Sequence, residues 1–177
     1  MKIFLVGMPG SGKSYWGEAL SEALIMPFFD LDEEIEKAEG MSIAYIFEKY
    51  GQDYFRELER QYLEELSTLD PAIIATGGGT PVFNDNMSWI NQKGVSIFLN
   101  TPISIIISNL SKQDVSVRPL LKQYADDLEG YLSGLLQARL PYYAQAHFTI
   151  NNMPKTAKDM AEMVIEFCNE FRLGRQT

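Results

Sequence analysis

Apolar positions along this chain fall into short solid runs separated by longer stretches with helical spacing. Ile3–Val6 is wholly apolar, which predicts a strand buried on both faces rather than one. Phe28–Leu31, Ala72–Thr76, Val95–Leu99 and Phe148–Ile150 predict four more strands. Between them, Ser14–Leu24 repeats Trp16, Ala19, Leu20, Ala23 and Leu24 at helical spacing and is closed by Pro27. Glu33–Glu39 predicts a short helix stopped at Gly40, and Ser42 is a candidate cap for Ile43–Tyr50, which Gly51 ends. Gln52–Leu66 predicts a longer helix, broken by Asp70-Pro71. Asn84–Lys93 predicts another. Thr101-Pro102 opens one that runs to about Leu110, with the threonine hydroxyl as its expected cap. The polar stretch 111–117 reads as a mobile loop. Leu120–Tyr143 reads as mainly helical and broken around Pro141, and Pro154–Phe171 as a terminal amphipathic helix before a frayed end.

Strands therefore alternate with helices along the whole chain. That order predicts an α/β fold, a parallel sheet with helices on both faces joined by right-handed crossovers. At 177 residues the expectation is one domain over 1–177.

Composition narrows the function classes. With 46% hydrophobic and 22% charged residues the chain has the profile of a globular protein. Its formal charge of -9 repels polyphosphate, so a nucleic-acid partner is not expected. An anionic substrate would have to be held by a few local cations against that field. Cys168 is the sole cysteine; it sits in an apolar periodic stretch and reads as a buried thiol. His147 is the sole histidine, so zinc has no support. No run reaches the ~20 apolar residues of a membrane span. A cytoplasmic monomer is the expectation.

The chemistry enters at Gly7-Met8-Pro9-Gly10-Ser11-Gly12-Lys13-Ser14, which matches G-x-x-x-x-G-K-[ST] in full between a buried strand and a helix. In such a P-loop the glycines let backbone N–H groups turn toward phosphate, and the helix adds its positive end. Gly10, Ser11, Gly12, Lys13 and Ser14 are thus the candidate nucleotide contacts. Lys13 reaches the β- and γ-phosphates, and the Ser14 hydroxyl takes one site on Mg²⁺. The motif fixes the phosphate donor and leaves the acceptor open, because GTPases, motor ATPases and small-molecule kinases share it.

Other residues bear on the acceptor. Asp30 and Asp32 close the second strand, where ligands bind in open α/β sheets; Asp32 also fits a helix cap before Glu33. Gly77-Gly78-Gly79 follows a buried strand and suits either close backbone approach or a hinge. Arg56, Arg118 and Arg139 are the candidate guanidinium forks for carboxylate or phosphate. Within FRELER, Arg56 also suits an i,i+4 surface pair.

Six pieces in series, GMPGSGKS, FFDLDEEIE, GQDYFRELE, ATGGGTP, RPLL and ARLPYY, resemble the shikimate kinase family from Ile3 to about Phe167. The resemblance implies five parallel strands in order 2-3-1-4-5, a substrate-binding segment at about 31–62 and a lid at about 111–124. It implies ATP and shikimate as ligands and Mg²⁺ as the metal. It implies that Asp32, Arg56, Gly78 and Arg139 bind shikimate, the two arginines through its carboxylate. Asp30 would support Mg²⁺, and Arg118 would contact ATP phosphate from the lid. Lys13, Asp32 and Arg118 would be the catalytic set, with Phe47, Phe55 and Glu59 around the substrate. The chain departs from the family on the adenine side. Ser108–Lys112 lacks the arginine often found at the lid's start, Tyr15 replaces a common threonine, and Lys155 is the nearest basic group in the loop Asn151–Lys155. The competing readings are a P-loop kinase for another small acid, such as gluconate, and a nucleotide-binding regulatory module without catalysis.

Overall fold

The computed structural model describes residues 1–112 and 127–174. Five strands form one parallel sheet: β1 (Lys2–Val6), β2 (Phe28–Asp30), β3 (Ala72–Ala75), β4 (Val95–Leu99) and β5 (Phe148–Ile150), in spatial order β2-β3-β1-β4-β5. The expected order is the one found. Alternate residues of the central strands feed two cores. Phe4, Val6, Ile74 and Phe98 face one side; Ile3, Leu5, Ile73, Val95, Ile97 and Leu99 face the other. A strand covered on both faces must be apolar throughout, which is why these runs show no polar alternation.

The first face is covered by α2 (Leu31–Glu39), α3 (Ile43–Leu66), α4 (Asn86–Lys93), α5 (Ile103–Ser111) and α6 (Leu128–Tyr143). The second is covered by α1 (Lys13–Leu24) and α7 (Ala157–Gly174). Cys168 is buried there, and burial pushes its thiol pKa up, as a structural cysteine requires.

Four local expectations are corrected. The second strand ends at Asp30, so Leu31 and Asp32 belong to α2; the cap is Asp30, whose carboxylate accepts the Asp32 N–H at 3.1 Å. Helix α5 begins at Ile103 with no side-chain cap, because the Thr101 hydroxyl donates instead to the Ser11 carbonyl at 2.9 Å. Pro141 lies inside α6 rather than breaking it, and the terminal helix starts at Ala157 rather than Pro154. The break at Gly51 stands: α3 carries a non-helical residue there (φ 83°, ψ 175°), and Ser42 caps its start through the Tyr45 N–H.

Parallel pairing sets the site's position. Leu5 pairs with Ala75 and Ile97, and Asp30 pairs with Ala75. The loops after β1, β2, β3 and β4 therefore leave one edge of the sheet side by side, at the carboxyl ends where open α/β folds place ligands.

Helix α1 reaches the sheet only because position 17 lacks a side chain. A Cβ on Gly17 would lie 2.1 Å from the Phe28 ring. Helix propensity alone favours alanine there by about 1 kcal/mol. Overpacking costs about 1–3 kcal/mol and should dominate. Gly17→Ala is expected to lower the melting temperature; an unchanged or higher value would show that Phe28 yields freely.

Candidate active site

The P-loop between β1 and α1 is held from behind. Gly10 and Gly12 have φ of 77° and 93°, a region that side chains disfavour, so glycine is required at both. The Gly10 carbonyl accepts from Asn109 of α5 at 2.9 Å, and the Ser11 carbonyl accepts from Thr101. Peptide planarity then points the Gly12 N–H away from Thr101. Lys13 is buried, and its ammonium donates to the Gly7 and Met8 carbonyls at 3.0 and 2.9 Å. The lysine thus folds over the loop it follows. Ser14 is exposed, and its hydroxyl donates to Asp30 Oδ2 at 2.5 Å. The two residues singled out for the metal are therefore in contact, across the gap between β1 and β2.

The glycine run after β3 is the second component. A Cβ on Gly77 would meet Asp32 Oδ1 at 2.6 Å and Glu59 Oε1 at 2.9 Å. On Gly78 it would meet the Pro9 ring of the P-loop at 2.6 Å, and on Gly79 the Arg56 guanidinium at 2.8 Å. Close approach, rather than a hinge, is what the three glycines serve. They seat the Asp32 carboxylate, the P-loop and Arg56 around one stretch of backbone.

Arg56 is not a surface residue of an i,i+4 pair. It pairs with Glu59, which is almost wholly buried, and Glu59 also accepts from the Thr80 hydroxyl at 2.5 Å. Its guanidinium lies over Phe83, Phe55 and Phe47, with the Phe83 centroid at 4.2 Å. Such faces attract a cation and keep water off it. Arg139, on α6, lies beside the Tyr143 hydroxyl, which donates to the Gly78 carbonyl at 2.5 Å. Burial pushes the Tyr143 pKa up against the pull of Arg139, so the hydroxyl stays a donor. Among the described residues, Arg56 Nε and Arg139 Nη1 are buried without a hydrogen-bond partner. Unsatisfied cationic donors at one sheet edge are suited to an incoming carboxylate.

Among the other predicted site residues, Tyr15 is exposed and meets Trp16 edge-on, and Lys155 is exposed just before α7. Asn100 and Asn151 are hydrogen-bonded at 2.8 Å and join the ends of β4 and β5. Arg118 lies outside the described residues, as does nearly all of the lid at about 111–124. Sequence reasoning assigned no site role to Thr80, Phe83, Thr101, Asn109 and Tyr143. Only tertiary approach makes them part of the site; local pattern carries no signal for them.

The shikimate kinase family profile matches residues 9–169 of this chain. The chain belongs to the shikimate kinase family. The shikimate kinase of Aquifex aeolicus is 34% identical over 93% of this chain and 95% of its own length. That of Caldanaerobacter subterraneus is 39% identical over 92% and 93%. A crystal structure of the Bacteroides thetaiotaomicron shikimate kinase superposes with a TM-score of 0.86 at 34% identity, covering 94% of this chain and 97% of that one. The Acinetobacter baumannii shikimate kinase, solved in complex with shikimate, gives a TM-score of 0.86 at 35% identity, covering 97% and 94%. A gluconokinase from Sinorhizobium meliloti shares the fold alone, at 16% identity and a TM-score of 0.54. The chain is accordingly an enzyme of a kinase family that uses ATP. No helix of the described residues is long and apolar enough to cross a membrane.

The buried Arg56–Glu59 pair generates a stability prediction. Removing one partner of a buried pair costs about 3 kcal/mol or more, because the other charge is left uncompensated. Glu59→Ala is therefore expected to destabilise the fold by about 3 kcal/mol in urea unfolding. A change below about 1 kcal/mol, the range of exposed pairs, would mean that water reaches Arg56.

Proposed function

We propose that the site transfers the γ-phosphoryl group of ATP to the 3-hydroxyl of shikimate, giving shikimate 3-phosphate and ADP. The observation that carries this reading is the convergence of the P-loop, Asp32 and Arg56 on Gly77–Gly79. A phosphate-donor half and an acid-binding half meet there at one strand edge. The shikimate complex of the 35% identical Acinetobacter baumannii relative supports the choice of acid.

On the donor side, the backbone of Gly10–Ser14 and the Lys13 ammonium bind the triphosphate, with Lys13 turning from its own loop carbonyls to the phosphates. Tyr15 and Lys155 flank the adenine end. Arg118 is assigned a contact with the transferring phosphoryl group, as the family resemblance implies. The Ser14 hydroxyl and the Asp30 carboxylate are hard oxygen donors already in contact, which fits Mg²⁺, an ion that keeps few protein ligands and leans on substrate phosphates. Held by Ser14 and Asp30, Mg²⁺ would offset the negative charge of the triphosphate.

On the acceptor side, Arg56 and Arg139 hold the carboxylate, Gly78 offers backbone, and Asp32 accepts from the ring hydroxyls. The segment 31–62 supplies most of this half. The substrate hydroxyl oxygen bonds to the γ-phosphorus, the bond to the bridging oxygen breaks, and ADP leaves. The hydroxyl proton passes to Asp32. In a loose transition state, charge resides on the phosphoryl oxygens, and positioning outweighs base strength. Lys13 and Arg118 stabilise that charge. We read the chain as a cytoplasmic monomer that acts on no nucleic acid.

The deciding assay adds shikimate to protein and Mg·ATP. ADP release that requires shikimate, and is not reproduced by gluconate, is expected; its absence would overturn the reading in favour of a nucleotide-binding module. Asp32→Ala is expected to lower kcat at least about a hundredfold while ATP binding by calorimetry stays within about threefold, since general-base losses are of order 10²–10⁴. Substantial shikimate-dependent turnover by that variant would remove Asp32 from the mechanism. Arg139→Ala is expected to raise the shikimate KM at least tenfold, a loss of one charged contact. An unchanged KM would reduce Arg139 to a packing residue.

A further inference from the structure

Tyr143 lies where three parts of the site meet, and nothing in the reaction described above uses it. It is among the largest fully buried side chains of the described residues. Its ring stacks on Phe98 of β4, with centroids 5.1 Å apart at 30°. Phe98 itself borders Gly7, at the start of the P-loop. The hydroxyl donates to the Gly78 carbonyl at 2.5 Å and touches the Met8 sulfur at 3.9 Å. Arg139 stands one helical turn before it on α6 and beside that hydroxyl.

Peptide planarity carries the consequence further. The Gly78 carbonyl and the Gly79 N–H share one rigid unit. Fixing the carbonyl fixes the plane, and with it the position of the Gly79 Cα. That atom is packed against the Arg56 guanidinium, where an added Cβ would come within 2.8 Å. Arg56 is held on its other sides by Glu59 and the Phe83 ring. The wall formed by Gly79 therefore completes its confinement. One hydroxyl thus sits between the two guanidinium groups: directly beside Arg139, and one peptide plane from Arg56.

We propose that Tyr143 is a positioning residue, whose hydroxyl clamps the Gly78–Gly79 peptide and thereby sets Arg56 and Arg139 at the spacing that a substrate carboxylate requires. The inference rests on the reading that these two arginines hold the acid. It assigns Tyr143 no contact with substrate or nucleotide. Its effect belongs to acid binding, because the P-loop has its own supports in Thr101 and Asn109.

The test is Tyr143→Phe, which removes one oxygen and keeps the ring on Phe98. The expected result is a shikimate KM raised about tenfold, with the ATP KM within twofold and kcat within threefold of the parent. A purely structural role would instead lower the melting temperature and the active fraction, reducing apparent kcat with both KM values unchanged; that outcome overturns the proposal. A rise of the ATP KM equal to that of shikimate also overturns it. As a second measurement, equilibrium binding of shikimate to the folded variant by calorimetry should weaken by the same factor as the KM. Failure of the underlying reading looks different. It would appear as an unchanged shikimate KM in Arg139→Ala, whereas a raised KM there with an unchanged one in Tyr143→Phe removes this proposal alone.

Discussion

The site depends on three consecutive residues without a Cβ. Each of Gly77, Gly78 and Gly79 is approached from a different direction, by Asp32, by Pro9 and by Arg56, to distances that no side chain could share. A glycine run costs conformational entropy on folding and packs nothing of its own. Here it lets a carboxylate, a phosphate loop and a guanidinium converge on one backbone. Because β3 pairs with β1 on one side and β2 on the other, the run is placed between the P-loop and Asp30 by sheet register alone. The glycines then allow the remaining distance to close. Donor and acceptor halves are thus joined through backbone, which moves less than any side chain.

How much of this was legible in the sequence follows from the range of the interactions. The alternation of apolar runs and helical periods is a local signal, and it yields the five strands, their parallel direction and helices on both faces; the strand order is what the family resemblance implied. The P-loop is contiguous, so eight residues carry its whole meaning. Asp30 and Asp32 could be told apart only in part. Both are polar residues at a strand end, and which of them caps the helix turns on where the strand stops. The chain settles this by starting α2 at Leu31, a buried core residue, so that Asp30 takes the cap and also meets Ser14. Thr101-Pro102 is a similar case. Locally the threonine looks like a cap; in the fold its hydroxyl serves the Ser11 carbonyl ninety residues away. Tyr143 on Gly78 and Asn109 on Gly10 are of the same kind. A periodicity argument has no access to such pairs, because nothing near either partner in sequence signals the other. Pro141 shows the reverse error: a proline read as a breaker is accommodated in the last turn of α6.

Electrostatics give the arrangement its direction. A chain with formal charge -9 that binds an acid and a triphosphate must concentrate positive charge where they land. It does so with cations held in place before any ligand arrives. Lys13 rests on two loop carbonyls, and Arg56 is held by a buried carboxylate and three aromatic rings. Ordering long side chains in advance removes an entropic cost that would otherwise fall on binding.

The pairing of Arg56 with Glu59 looks at first like a neutralised cation with little left for a substrate. The donor count argues otherwise. A guanidinium has five N–H donors in a fixed fork, and a neighbouring carboxylate does not engage them all. Among the described residues, Arg56 Nε is buried without a partner, and so is Nη1 of Arg139. A buried unsatisfied donor costs about 1–3 kcal/mol, more when charged, and a carboxylate that satisfies it recovers that energy on binding. Glu59 thus lets the guanidinium be buried at all, while the fork's geometry leaves donors over. The fold carries a small instability there, one that an acid bound as proposed would relieve through the same donors.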